Sequence, residues 1–157
     1  MLAVLGYPAK LRDRRGLRLE HEDREGSEGH EGLSLELERL GRAVVDAGLK
    51  VHRTLGPGLL ESVYEHCLAR ELELRGVAAR RQVALPITYE GVTLEVGYRL
   101  DLVVGDAVIV EIKAVEMLTR LHEAQVLTYL RLSNKRLAFL MNFNVTLFKN
   151  GLKRIVL

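Results

Sequence analysis

The chain has 157 residues, 48% apolar and 28% charged, and its one cysteine, Cys67, permits no internal disulfide. A single domain of this size buries most of its apolar surface unaided, which excludes a wholly disordered chain, a collagen-like repeat and a small disulfide scaffold. No apolar run approaches the roughly 20 residues that cross a bilayer, and the net charge of +2 provides no broad phosphate-gripping surface.

Residues 1–32 hold 6 basic and 7 acidic residues interleaved with glycine, with almost no apolar periodicity. Such a stretch buries too little to offset its ordering entropy, so a mobile tail is expected there, with one domain over 33–157. The opening MLAVLG is too short for the apolar stretch of a signal peptide. The expectation is a soluble, cytoplasmic protein with no membrane partner.

From Ser34 onward the apolar residues Leu37, Leu40, Val44, Val51 and Leu55 recur at helical spacing, and Ser34 stands where a helix cap belongs. Gly56-Pro57-Gly58 ends that helix. A second helical pattern covers 59–75, with Gly76 beyond its end. Strand patterns follow over 83–89 and 92–104 around a Glu90-Gly91 turn, and then over 107–115. A third helix is predicted from a Thr119 cap to Leu132, and strands over 136–142, 145–149 and 152–156. This order predicts an α/β domain with one mixed central sheet flanked by helices.

The informative stretch is YRLDLVVGDAVIVEIK, residues 98–113. Strand alternation places Glu111 and Lys113 on one side and Ile112 on the other. A carboxylate within VIVEIK is costly unless it is paired or holds a cation, and two carboxylates converging beside an ammonium suit a hard divalent ion. A two-residue loop at Gly105-Asp106 would put Asp101 and Glu111 on different faces. A three-residue loop that includes Ala107 sets them opposite each other on one face, and this loop, or a bulge with the same effect, is the predicted form. The plainer alternative is a solvated Glu111–Lys113 charge pair on an edge strand.

Two further patterns accompany this one. In GPGLLESVYE, residues 56–65, Glu61 and Tyr64 share a helix face with Glu65 nearby. Glu61 reads as an extra metal ligand or as a first-turn acid favoured by the helix dipole. In HEAQVLTYL, residues 122–130, Gln125 and Tyr129 stand four apart on one face.

Taken in this order and spacing, GPGLLESVYE, YRLDLVV, VIVEIKAVE and HEAQVLTYL resemble the GxxExxY protein family, a branch of the PD-(D/E)XK nuclease-like superfamily, over about residues 40–156. The resemblance implies a restriction-endonuclease-like core. It implies Mg²⁺, with Mn²⁺ able to substitute, held by Asp101, Glu111 and the Ile112 carbonyl, with Glu61 completing the shell. It assigns Lys113 to the attacking water, and Gln125 and Tyr129 to positioning substrate. Leu100 stands where the superfamily's name carries proline.

The implied activity is metal-dependent phosphodiester hydrolysis of nucleic acid, DNA ahead of RNA, and analogy within the superfamily adds a homodimer. The alternative is a catalytically silent nuclease-fold module that binds nucleic acid or a partner protein.

Other features point elsewhere or nowhere. The histidines lack HxH or HExxH spacing, which argues against zinc, although His52 could line the cleft. Cys67 falls on an apolar helix stripe and reads as core. Arg80-Arg81, Lys135-Arg136 and Lys153-Arg154 are candidate groove-flanking basic pairs, and aromatic residues at 5%, with no tryptophan, do not support a stacking platform for single strands.

Overall fold

A computed structural model describes residues 32–95 and 97–157; the expected tail, apart from Gly32, lies outside the described residues. Helix α1 (Leu35–Leu55) begins at Ser34, whose hydroxyl accepts the Leu37 N–H at 3.2 Å. Its buried stripe of Gly41, Val44, Ala47, Gly48 and Val51 faces the sheet. A Cβ on Gly48 would come within 2.7 Å of the Phe148 ring, so only glycine permits this approach. Helix α2 (Glu61–Leu74) follows the glycine break and buries Tyr64, Leu68 and Leu72.

The main sheet contains β1 (Ala79–Ala84), β4 (Arg99–Val104), β5 (Val108–Lys113), β6 (Leu137–Asn142) and β7 (Leu152–Val156), in the order β1-β4-β5-β6-β7. The pairs β1–β4, β4–β5 and β6–β7 are antiparallel. Helix α3 (Arg120–Ser133) provides the crossover that makes β5 and β6 parallel. The sheet is therefore mixed and flanked by helices, as the element order implied. Because β5 is central, Glu111 and Lys113 do not form an edge-strand pair.

Three strand expectations need correction. The runs 83–89 and 92–104 each break in two. The ribbon of β2 (Ile87–Tyr89) and β3 (Val92–Leu94) stands apart from the main sheet. Pro86, which lacks a ladder N–H, marks one break. The Glu90-Gly91 turn is as predicted, with φ of 48° and 76°.

Residues 145–149 are not a strand: Phe148–Gly151 form a short helix, α4. The Val145 carbonyl is spent on His52 Nε2 at 2.7 Å, and the Phe148 ring stacks near His52 in the core. Tertiary packing here overrides an apolar strand pattern. Among the described residues no helix is long and apolar enough to cross a membrane.

Candidate active site

The β4–β5 register pairs Val104 with Val108, Val103 with Ile109 and Leu102 with Val110, leaving Gly105, Asp106 and Ala107 as the three-residue loop the sequence requires. Continued by one step, this register sets Asp101 across from Glu111. There the ladder ends and the strands part. Asp101 Oδ2 enters the gap and accepts the Ile112 N–H at 2.8 Å. The Lys113 carbonyl accepts the Phe143 N–H on the β6 side, so the alternating Ile112 turns its own N–H and carbonyl toward Asp101.

A local kink explains why the strands part. Gln82, opposite Asp101 in the β1–β4 register, has φ of 51°, a left-handed conformation unusual for a non-glycine residue. Both strands change faces at this point. Ala79, Leu102 and Val104 pack with the α1–α2 core, whereas Val83 and Leu100 pack with the α3 core. Glu65, buried on α2, secures the kink by accepting Arg81 Nε and Gln82 Nε2, both at 2.8 Å.

Glu61 reaches the site from α2. The Tyr64 hydroxyl donates to the Gly56 carbonyl at 2.6 Å and accepts the Leu59 N–H at 3.1 Å, while its ring stacks on Phe143 at 4.5 Å. Gly58, at φ 101°, makes the turn between them. The pinned loop delivers Glu61, whose Oε1 accepts the Ala114 N–H at 3.1 Å. The Gly58, Glu61, Tyr64 spacing is therefore a turn, a site carboxylate and an anchor. From the other face, α3 presents Gln125 and Tyr129, whose Nε2 and Oη bond at 2.7 Å.

The electrostatics are strained. Glu111 is 5% exposed, and its Oε1 lies 3.1 Å from Lys113 Nζ. Burial first, then the neighbouring Asp101 charge, pushes its carboxyl up to about 7, against the pull of Lys113. Burial also raises Asp101, opposed by its bond from Ile112 N–H. The Tyr129 phenol is raised by burial and then by the Glu111 charge, which marks it as facing the carboxylates.

No three His, Cys, Asp or Glu side chains form a ready-made metal cluster among the described residues. Asp101 and Glu61 each have one oxygen committed to a backbone N–H. Glu111 Oε2, however, is buried without a hydrogen-bond partner. An acceptor-only atom orphaned beside a second carboxylate fits a hard cation.

The remaining candidates lie elsewhere. His52 is a core residue rather than part of the cleft, and His122 caps α3 by accepting the Thr119 N–H. Cys67 is half-buried at the core margin. Of the basic pairs, Arg80 is bonded to Asp106, Arg81 to Glu65, Lys153 to Glu123 and Arg154 to Glu38, and Lys135 donates to the Asp106 carbonyl.

Sequence reasoning missed Gln82 and Asn142. Asn142 is buried and brackets Val115, accepting its N–H at 3.1 Å and donating to its carbonyl at 2.8 Å, which fixes the chain just after Lys113. An amide closing an apolar strand was the available signal for Asn142; nothing in the sequence marked Gln82.

No curated protein and no solved structure matches the chain. The family profile of the PD-(D/E)XK nuclease superfamily matches residues 38–155, spanning every element of the site just described. The aspartate at the parting strands, the E-x-K on the central strand and the mixed sheet that carries them thus fall within one match, and the chain belongs to the PD-(D/E)XK nuclease superfamily.

Proposed function

We propose that the protein is a metal-dependent nuclease that hydrolyses phosphodiester bonds, with DNA as the preferred substrate. The observation that carries this reading is the buried, partnerless Glu111 Oε2 beside Asp101 and Lys113. A purely structural role gives no reason to retain that charge in a central strand.

Asp101, Glu111 and the Ile112 carbonyl would hold the cation, Mg²⁺ or Mn²⁺, with Glu61 at the margin. When bound, the cation supplies Lewis-acid polarisation of a phosphoryl oxygen and offsets the repulsion between carboxylates and phosphate. Lys113 aims its ammonium where the attacking water and the developing negative charge on the phosphoryl group meet. Its compact charge suits both partners better than a planar guanidinium would. Gln125 and Tyr129 wall the α3 side and orient the substrate strand.

The test is cleavage of supercoiled plasmid, linear duplex, single-stranded DNA and RNA with Mg²⁺ or Mn²⁺, run beside Lys113→Ala. Cleavage by the native chain alone supports the reading. Equal cleavage by both proteins, or by neither on any substrate, contradicts it, and the second result favours a nuclease-fold binding module.

A further inference from the structure

A cavity of about 430 Å³ adjoins the candidate active site, walled by Ile87, Tyr98, Leu121, Gln125, Tyr129 and Leu132. It is within the size range of small-molecule sites. Its lining is mostly apolar, and it shares Gln125 and Tyr129 with the carboxylate–lysine site. Tyr98 is 46% exposed, and its ring meets Tyr129 edge-on, with centroids 6.5 Å apart and planes at 69°. Of the polar side chains on this wall, Gln125 Nε2 donates to Tyr129 Oη and His122 Nδ1 accepts the Thr119 N–H, and Thr128 lines it as well. Contrary to the expectation from composition, the exposed Tyr98 ring gives this largely apolar wall one stacking surface.

The charge pattern narrows the occupant. A duplex gripped through its backbone needs several cations on phosphates. Four of the six residues in the candidate groove-flanking pairs, Arg80, Arg81, Lys153 and Arg154, are each engaged with a carboxylate of the same chain. Base stacking on an exposed aromatic provides affinity that does not depend on those cations.

We propose that this cavity receives an unpaired nucleobase, stacked on Tyr98, from the strand whose phosphate reaches Lys113, so that the protein takes single-stranded or frayed DNA. The proposal rests on the nuclease reading for the location of that phosphate. Because every base offers a face to stack, binding through Tyr98 is tolerant of sequence. A base held in a duplex cannot enter without unstacking.

The test uses a single-stranded 12-mer carrying 2-aminopurine, with Ca²⁺ in place of Mg²⁺, titrated with the native full chain, Tyr98→Phe and Tyr98→Ala. The expected result is quenched fluorescence with the native chain and Tyr98→Phe, and about 5- to 160-fold weaker binding by Tyr98→Ala, the range of one lost stacking contact. The matching duplex should bind at least about 10-fold more weakly than the single strand, since its bases must first unstack.

Equal binding by Tyr98→Ala, or a duplex that binds as well as the single strand, overturns the proposal, as does no binding at all. Thermal unfolding of Tyr98→Ala checks that the variant is folded, and retained binding by Tyr98→Phe ties the loss to the ring. Lys113-dependent cleavage of duplex DNA that ignores Tyr98 would leave the nuclease reading standing without this site. Tyr98-dependent binding without cleavage would do the reverse.

Discussion

The two faces of the central sheet are made by the same strands but serve different ends. Under α1 and α2 the face is closed and apolar, with Tyr64, Phe143 and Phe148 piled together among leucines and valines. Under α3 a smaller cluster holds Leu100, Ile109, Leu140 and Tyr129, and beside it stand Glu111 and Lys113. One face stabilises the fold. The other spends part of that stability on carboxylates that burial disfavours. The two meet at the Gln82–Asp101 kink, where β1 and β4 change sides.

Substitutions should therefore separate stability from chemistry. Phe143→Ala, on the closed face, should cost about 3–5 kcal/mol of stability in denaturant titration, as truncation of a packed aromatic does. A loss under about 1 kcal/mol would mean that the aromatic pile is not the anchor described. On the other face, Lys113→Ala should lower turnover about 10²- to 10³-fold, the scale of losing one aligned electrostatic group. Its unfolding transition near pH 6 should stay close to native, because Glu111 can take up a proton when its partner is removed.

Glu111 sharpens the contrast through pH. Its folded-state value of about 7 lies above the ordinary 4.5, so the folded chain holds this proton more tightly than the unfolded one. Stability should then fall as pH rises from about 4.5 through about 7, and the raised Asp101 acts with the same sign. Glu111→Gln should flatten most of that slope and, at pH 8 without divalent ions, exceed the native chain by on the order of 2 kcal/mol. A variant less stable than native at pH 8 would show that the charge is not costly.

The smallest expected effect is that of Tyr64→Phe, which keeps the ring stack and loses both hydroxyl bonds. It should cost about 1–2 kcal/mol and speed hydrogen exchange at the Ala114 N–H that Glu61 protects.

Much of this was legible in the sequence because it depends on local rules. The Ser34 and Thr119 caps, the glycine break after Leu55 and the alternation along VIVEIK each follow from neighbouring residues. The three-residue loop that carries Asp101 across from Glu111 followed from parity once the two carboxylates were expected on one face. What could not be read depends on distant partners. The Val145 segment yields its carbonyl to His52, 93 residues earlier in the chain, and Gln82 takes its left-handed form beside Glu65. Neither partnership leaves a periodic trace.

The central claim is that Glu111 is buried at a cost that only a cation offsets. The direct measurement is the thermal midpoint at pH 8 with and without saturating Mn²⁺, for the native chain and Glu111→Gln. The account predicts that the variant is the more stable without metal and that Mn²⁺ raises the midpoint of the native chain alone, through a stabilisation of about 2.7 kcal/mol at 100 times the dissociation constant. Equal Mn²⁺ shifts in both proteins, or none in the native chain, would contradict it.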